Sequence, residues 1–463
     1  MVTKKTKCLF CSLGCELGLR LERGEPMALD YPGPLCPRGH YNLEMINHPA
    51  RLTEPKIGNR QISWEEAVVF TRQELKQFEK SQVGILISAN SSNEEALAAA
   101  RFAKLLGTSN LAVAGPLSDL AAYQGEKTPV AGAALATEDD IASSNSLVIV
   151  GDILTRSPVL SKIINKVKYG QRGNSLIVID PNRSHTSWFA TDHLAVRPGS
   201  EALVLASLTG KMTDVNSAAE KSGLPAARLV AAAKVFAAAA KGTVIIVPGE
   251  HKARNDLIVY FAKELAAASA NKKYVVFYQY GNTLGVNRVL DRELPDHLLL
   301  QEMVEKIENQ SIPALFMFGE NISTEKNNLD KKMRLIKFVA VAGYFGRESS
   351  VTSDTVVTFP LASPLEKSGN YTLASGTTVS LNEIVLPVGA KSNSEIMALL
   401  GEVSTGDGQV GPVYGQPVNF SDQLGESLQL ATTASVPLEN ITHFGNNRLV
   451  KNFFWYKVNN HNG

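Results

Sequence analysis

The four cysteines of this chain, Cys8, Cys11, Cys15 and Cys36, all lie in its first tenth, and none follows in the rest of its 463 residues. A disulfide framework is spread over the fold it staples and persists only in oxidising compartments. Four thiols crowded at one end of a long chain predict a single metal site instead. Their spacing is C-x2-C-x3-C-x20-C. A [4Fe–4S] cubane needs one thiolate on each iron, so three ligands from a tight loop and a fourth from a remote one suit it. Zinc also takes four thiolates, but usually from two C-x2-C knuckles, and here Cys36 stands alone. The spacing favours a [4Fe–4S] cluster on Cys8, Cys11, Cys15 and Cys36. Structural zinc and free redox thiols stay open as alternatives.

The residues around the thiols agree with a crowded inorganic centre. Gly14 and Gly18 relieve crowding where backbone passes close to sulfur. Main-chain N–H groups of such a loop donate to the sulfurs and tune the potential. Pro34 and Pro37 stiffen the return loop around Cys36. Arg38 follows in Cys36-Pro37-Arg38-Gly39. Its cation either touches the cluster region or is a solvated side chain in a turn.

Composition narrows the class further. The length predicts two to four domains, and 44% hydrophobic residues against 20% charged supply a large core. Lys+Arg 46 against Asp+Glu 45 gives a net charge of +1. That balance argues against nucleic acid held through phosphate neutralisation. No apolar run approaches the roughly 18 residues of a membrane span. The opening Met-Val-Thr-Lys-Lys-Thr-Lys has no leader-like pattern, so a cytoplasmic protein is expected.

Residues 1–57 are short Gly- and Pro-punctuated segments, which predict a small β-rich cluster domain. From residue 60 the pattern alternates between helix and strand. Ser63 with Glu66 reads as a capping box opening a helix over 64–80. Helices are expected over 93–106, 161–169, 202–208, 225–240, 255–268 and 331–336. Buried strands are expected over 83–88, 147–150, 176–179, 244–247, 275–279, 314–318, 338–341 and 355–359. Short apolar strands separated by helices predict parallel sheets covered on both faces. There are too many for one unit. The fold class expected is therefore α/β, with a β-rich [4Fe–4S] domain at 1–57 and two interleaved parallel-sheet α/β domains at 58–402, one inserted in the other. Residues 403–463 are Gly-, Asn- and Ser-rich and read as an extended tail.

Ligands of open parallel sheets sit beyond the carboxyl ends of the strands. Three such ends carry suitable residues: Gly151-Asp152, Asp180-Pro181-Asn182-Arg183 and Gly319-Glu320-Asn321. Asp at a strand end can take a ribose diol or a guanine edge, and Arg a pyrophosphate. The bland alternative is that Asp180 and Arg183 only cap a loop. No Walker A, no G-x-S-x-G elbow, no H-E-x-x-H and no G-x-G-x-x-G after a strand appears, so nothing independent points to flavin or NAD.

These motifs, taken in order, resemble the molybdopterin oxidoreductases. Cys8-Leu9-Phe10-Cys11-Ser12-Leu13-Gly14-Cys15, then Cys36-Pro37-Arg38-Gly39, then His48-Pro49-Ala50-Arg51-Leu52-Thr53-Glu54-Pro55 are similar to the start of that family. Ser63-Trp64-Glu65-Glu66-Ala67, Asn93-Glu94-Glu95-Ala96, Gly107-Thr108-Ser109-Asn110, Val178-Ile179-Asp180 and Arg197-Pro198-Gly199-Ser200-Glu201 continue the match. Phe318-Gly319-Glu320-Asn321 and Glu366-Lys367-Ser368-Gly369 close it. The family includes formate dehydrogenases, one of the chains of formylmethanofuran dehydrogenase and the large peripheral chain of NADH:quinone oxidoreductase. The resemblance implies molybdopterin guanine dinucleotide carrying Mo or W. It places the guanosine ends near Gly151, Asp180, Arg183, Arg197, Gly319 and Asn321.

The sequence departs from that family at three places. No cysteine stands where the family's metal ligand usually lies. Ser118 falls near that position, so Ser118 or Asp119 would serve there if a Mo/W site is kept, and Ser-Asp is also an ordinary N-cap pair. The charges that usually follow Gly369 are replaced by Asn370-Tyr371-Thr372-Leu373. The domain that closes over the pterins is not recognisable in the residues after the match. Two functions are expected from this. One is an iron–sulfur electron-transfer subunit on a scaffold that has lost its Mo/W site, with other redox subunits (iron–sulfur or flavin proteins) as partners. The other is a catalytic Mo/W subunit of formate or formyl-group type completed by a partner chain. A zinc-stabilised scaffold is the third alternative.

Overall fold

The computed structural model describes residues 2–22, 25–30, 33–210, 214–249, 254–319, 335–345 and 355–401. Asn321, the expected tail at 403–463 and most of the helix expected at 331–336 lie outside them. Strands β1 (Val2–Lys7), β2 (Glu16–Glu22) and β3 (Glu25–Asp30) form an antiparallel sheet in that order. The short strands β4 (Lys56–Ile57) and β5 (Arg60–Gln61) follow, then β6 (Val83–Ser88) and β7 (Leu111–Ala114). Five strands come next: β8 (Ser146–Val150), β9 (Ser175–Ile179), β10 (Asp192–Leu194), β11 (Gly242–Ile246) and β12 (Lys272–Val276). They make one parallel sheet of order β10-β9-β8-β11-β12. The chain then returns with β13 (Ala314–Phe318), β14 (Phe338–Gly343) and β15 (Thr355–Pro360). These join β6 and β7 in a sheet of order β5-β4-β15-β14-β13-β6-β7, with β4 and β5 antiparallel at its edge. A hairpin of β16 (Gly369–Thr372) and β17 (Thr378–Leu381) completes the described strands.

The strands are parallel because each is apolar at nearly every position, and a strand covered on both faces needs that. β6, β8, β9, β11, β13 and β14 are buried along their whole lengths. Alternate residues serve opposite layers. Ile85 and Ile87 pack under the helices Asn93–Leu106 and Asn393–Gly401, whereas Leu86 joins the layer of helix Leu300–Glu308. Val148 and Val150 face one layer of the five-stranded sheet, Leu147 and Ile149 the other.

Most expected elements coincide with those observed, and two differences are instructive. The helix from Trp64 stops at Leu75 rather than residue 80. Ser63 does cap it, accepting the Glu66 amide, but the Glu66 carboxylate pairs with Arg60 on the adjacent strand instead of closing the box. The reciprocal box forms at Ser92 and Glu95. The strand expected over 275–279 ends at Val276, because the main-chain N–H groups of Gln279, Tyr280 and Gly281 bind side chains of the other sheet's layer.

Glu95 also anchors the far end of the chain. Lys367 Nζ reaches both of its oxygens at 2.7 and 2.8 Å, and the Asn393 amide donates to it at 3.1 Å. Arg51 is paired in the same way with Glu366. Both side chains of the Glu95–Lys367 pair are almost fully buried, so removing one leaves an uncompensated charge. Lys367→Met is expected to lower folding stability by about 3–5 kcal/mol. A urea denaturation midpoint equal to that of the unaltered protein would contradict this.

Candidate metal and ligand site

The loop 8–15 joins β1 to β2, and the Cys8 amide closes it by donating to the Cys15 carbonyl at 2.8 Å. Gly14 sits at φ +68°, and a Cβ there would collide with Leu373. Ser12 fixes the loop to the α/β body. Its amide and its hydroxyl both donate to the Tyr278 carbonyl, at 3.3 and 3.2 Å, and its own carbonyl accepts the Ala374 amide at 2.9 Å. Cys36 arrives from elsewhere, directly before a one-turn helix Pro37–His40.

The four thiols are free, with Cys8 and Cys11 buried and Cys15 and Cys36 half-buried. Burial pushes the Cys8 thiol up to about 11, and the charges of Cys11 and Cys36 add to that. Cys15 is pushed up further by burial and by Cys11, Cys8 and Cys36. Each of these two thiols thus feels the other three cysteines or most of them. Among the described residues, two side chains donate to sulfur: Asn42 Nδ2 to Cys8 Sγ at 3.4 Å, and Ser157 Oγ to Cys11 Sγ at 3.6 Å. Among the described residues, no group of three or more His, Cys, Asp or Glu is placed to hold one metal ion.

Arg38 is half-buried rather than solvated. Its guanidinium donates to the Arg156 carbonyl, and Arg156 donates to the Pro248 carbonyl at 3.1 Å. That ladder runs from the Cys36 loop to the carboxyl ends of β8 and β11. The strand order reverses between those two strands, which is where ligands of open sheets bind. Gly151 stands at this point with φ +97°.

The other expected ligand residues divide. Asp180 is buried at the end of β9, with one oxygen accepting the Asn182 amide at 2.9 Å. Arg183 beside it is exposed. Asp152 is committed internally. Burial works against its charge, but hydrogen bonds from Thr155 and Thr186 outweigh that and hold it below the usual carboxylate range. Arg197 donates to the Glu220 carbonyl at 3.0 Å and packs over Gly223. Gly319, at φ +80°, marks the reversal point of the other sheet, between β13 and β6, close to Ser88 and Asn393.

Ser118 and Asp119 do not cap their helix. Leu117–Lys127 begins after Pro116, so both lie inside its first turn. Asp119 is fully buried and accepts the amides of Gln279 at 2.7 Å and Tyr280 at 3.3 Å. Among the described residues the buried Ser118 hydroxyl has no hydrogen-bond partner. The segment 278–282 is what the sequence did not reveal. It holds Ser12 through Tyr278, Asp119 through Gln279 and Tyr280, and Asn90 through the Gly281 amide at 2.7 Å. Gly281 presses so closely on Leu9 that a Cβ would lie 2.7 Å from its carbonyl. A lone Gly after a strand was the only available signal.

The family model for molybdopterin oxidoreductases matches residues 51–403. The chain belongs to the molybdopterin oxidoreductase family. A relative in this family is the alpha subunit of F420-dependent formate dehydrogenase 2 of Methanococcus maripaludis, 23% identical over 79% of this chain and 65% of its own length. Another is the alpha subunit of the NADPH-Fe(3+) oxidoreductase of Geobacter sulfurreducens, 25% identical over 88% of this chain and 56% of its own. The chain thus spans less than two thirds of these relatives. Among solved structures, acetylene hydratase from Pelobacter acetylenicus shares the fold at TM-score 0.68 and 16% identity, over 86% of this chain and 68% of that one. A chain of the formyltransferase/hydrolase complex of Methylorubrum extorquens does so at TM-score 0.54 and 13% identity, over 75% of this chain and 97% of that one.

Asp119→Ala would strip two main-chain amides of their acceptor at a cost of about 1–3 kcal/mol. Amide hydrogen exchange at Gln279 and Tyr280 is expected to accelerate. Unchanged protection there would show that Asp119 does not hold the segment.

Proposed function

We propose that this chain is an oxidoreductase subunit that carries single electrons on a [4Fe–4S] cluster held by Cys8, Cys11, Cys15 and Cys36. The observation that carries this reading is four free thiols, Cys8 and Cys11 buried and Cys15 and Cys36 half-buried, with the Cys8 and Cys15 thiols pushed up by burial and then by neighbouring cysteines. Thiolates brought together on one centre repel one another, and a cationic iron–sulfur core would neutralise them. When bound, the cluster supplies one-electron transfer. The chain's own residues bury Cys8 and Cys11, donate a hydrogen bond to each of their sulfurs and bridge through Arg38 toward the crevice at Gly151. A reducing compartment, the cytoplasm, keeps the thiols available. The partners are other redox subunits of a complex, iron–sulfur or flavin proteins. The relatives' names as alpha subunits support this.

A second reading has its own support. The buried hydroxyl of Ser118 lacks a partner among the described residues, and the family's name points to a pterin cofactor. Here the crevices at Gly151 and Asp180 and at Gly319 would hold molybdopterin guanine dinucleotide, with Ser118 or Asp119 toward a Mo or W ion. Asp119 is the weaker candidate, since its carboxylate already binds two amides. The substrate would be formate or a formyl group, as the formate dehydrogenase relatives suggest.

Metal analysis of anaerobically purified protein separates the readings. About four irons per chain without Mo, W or pterin is expected for the electron carrier. Near-stoichiometric Mo or W with extractable pterin would establish the catalytic reading instead. Cys15→Ala is expected to lose most of the iron, and full retention would remove Cys15 from the ligand set.

A further inference from the structure

Two side chains outside the cysteines aim hydrogen-bond donors at the thiol sulfurs. Asn42 reaches Cys8 Sγ at 3.4 Å while also donating to the Gly39 carbonyl at 2.7 Å. Ser157 reaches Cys11 Sγ at 3.6 Å across 146 residues of sequence. Both are buried, Ser157 to 1% exposure and Asn42 to 4%. Buried hydroxyls are costly unless they find an acceptor, and here the acceptor is the sulfur. The Ser157 backbone is held independently, its amide donating to the Ile153 carbonyl at 2.7 Å and its own carbonyl accepting the Leu160 amide at 3.0 Å. The hydroxyl therefore does not hold its own loop in place.

That loop is the one that leaves β8 at Gly151. It also supplies the Arg156 carbonyl that receives Arg38. Segment 151–157 therefore touches the cysteine site from two sides, at Cys11 and two residues beyond Cys36.

We propose that Ser157 is a positioning residue that raises the reduction potential of the centre on Cys11, with Asn42 acting likewise on Cys8. This rests on the iron–sulfur reading above. Reduction adds one electron to the centre, and its charge spreads onto the ligand sulfurs. A donor to sulfur stabilises the more negative, reduced form more than the oxidised one. The buried surroundings strengthen that difference. Because Ser157 belongs to the crevice loop, the potential reports the position of that loop as well.

The test uses the full chain, purified or reconstituted without oxygen, in redox titrations followed by electron paramagnetic resonance. Ser157→Thr and Ser157→Val share one shape and differ in the hydroxyl. The Val variant is expected to keep its iron and shift its midpoint to more negative potential, while the Thr variant stays at the midpoint of the unaltered protein. Asn42→Leu is expected to shift in the same direction. Equal midpoints for the Thr and Val variants would overturn the proposal, as would iron loss confined to the Val variant, which would make Ser157 a structural support. An unaltered protein that binds no iron would instead overturn the iron–sulfur reading itself.

Discussion

The cysteine loop owes its position to Ser12. A small antiparallel sheet needs an apolar face packed against other structure to be stable, so loop 8–15 depends on what it is tied to. Its main chain is held between Tyr278 of the five-stranded sheet's layer and Ala374 of the β16–β17 hairpin. Gly14 under Leu373 and Gly281 against Leu9 then permit an approach that any side chain would block. If these contacts were lost, the three thiols of this loop would have no defined position relative to Cys36.

The same contacts join the thiols to the rest of the molecule. Segment 278–282 binds Ser12 on one side and Asp119 and Asn90 on the other, so it touches the layers of both parallel sheets. Arg38 and Ser157 make a second connection to the end of β8. Buried polar groups in such a seam must be paired. The pairs Glu95–Lys367 and Arg51–Glu366 meet that requirement by tying the end of the described chain to its beginning. Stability and site geometry therefore share one set of buried polar contacts. A substitution in the seam is expected to disturb both.

The elements legible in the sequence carry a local signal. A run such as Leu147 to Val150 declares a covered parallel strand because every position is apolar. Ser92 and Glu95 form the box that opens their helix, since both partners lie within one turn. Ser63 and Glu66 show the limit of the same rule. Arg60, contributed by a neighbouring strand, takes the Glu66 carboxylate away. Ser118 and Asp119 do not cap because their helix already begins at Leu117, and the Asp119 carboxylate instead accepts amides 160 residues further on.

The sequence by itself determined that four thiols share one spacing near one end of the chain, and the alternation that makes two largely parallel sheets. It also marked the strand ends at Gly151, Asp180 and Gly319, because turn-forming residues after apolar runs carry that information in a few adjacent positions. Only the tertiary structure decided that Arg38 reaches the Arg156 carbonyl, that Arg197 donates to the Glu220 carbonyl, and that Asn42 and Ser157 donate to the sulfurs. A lone Asn or Ser carries no periodicity, and its partner lies across the fold. Such a contact becomes visible only when the sheets have brought distant segments within hydrogen-bonding distance.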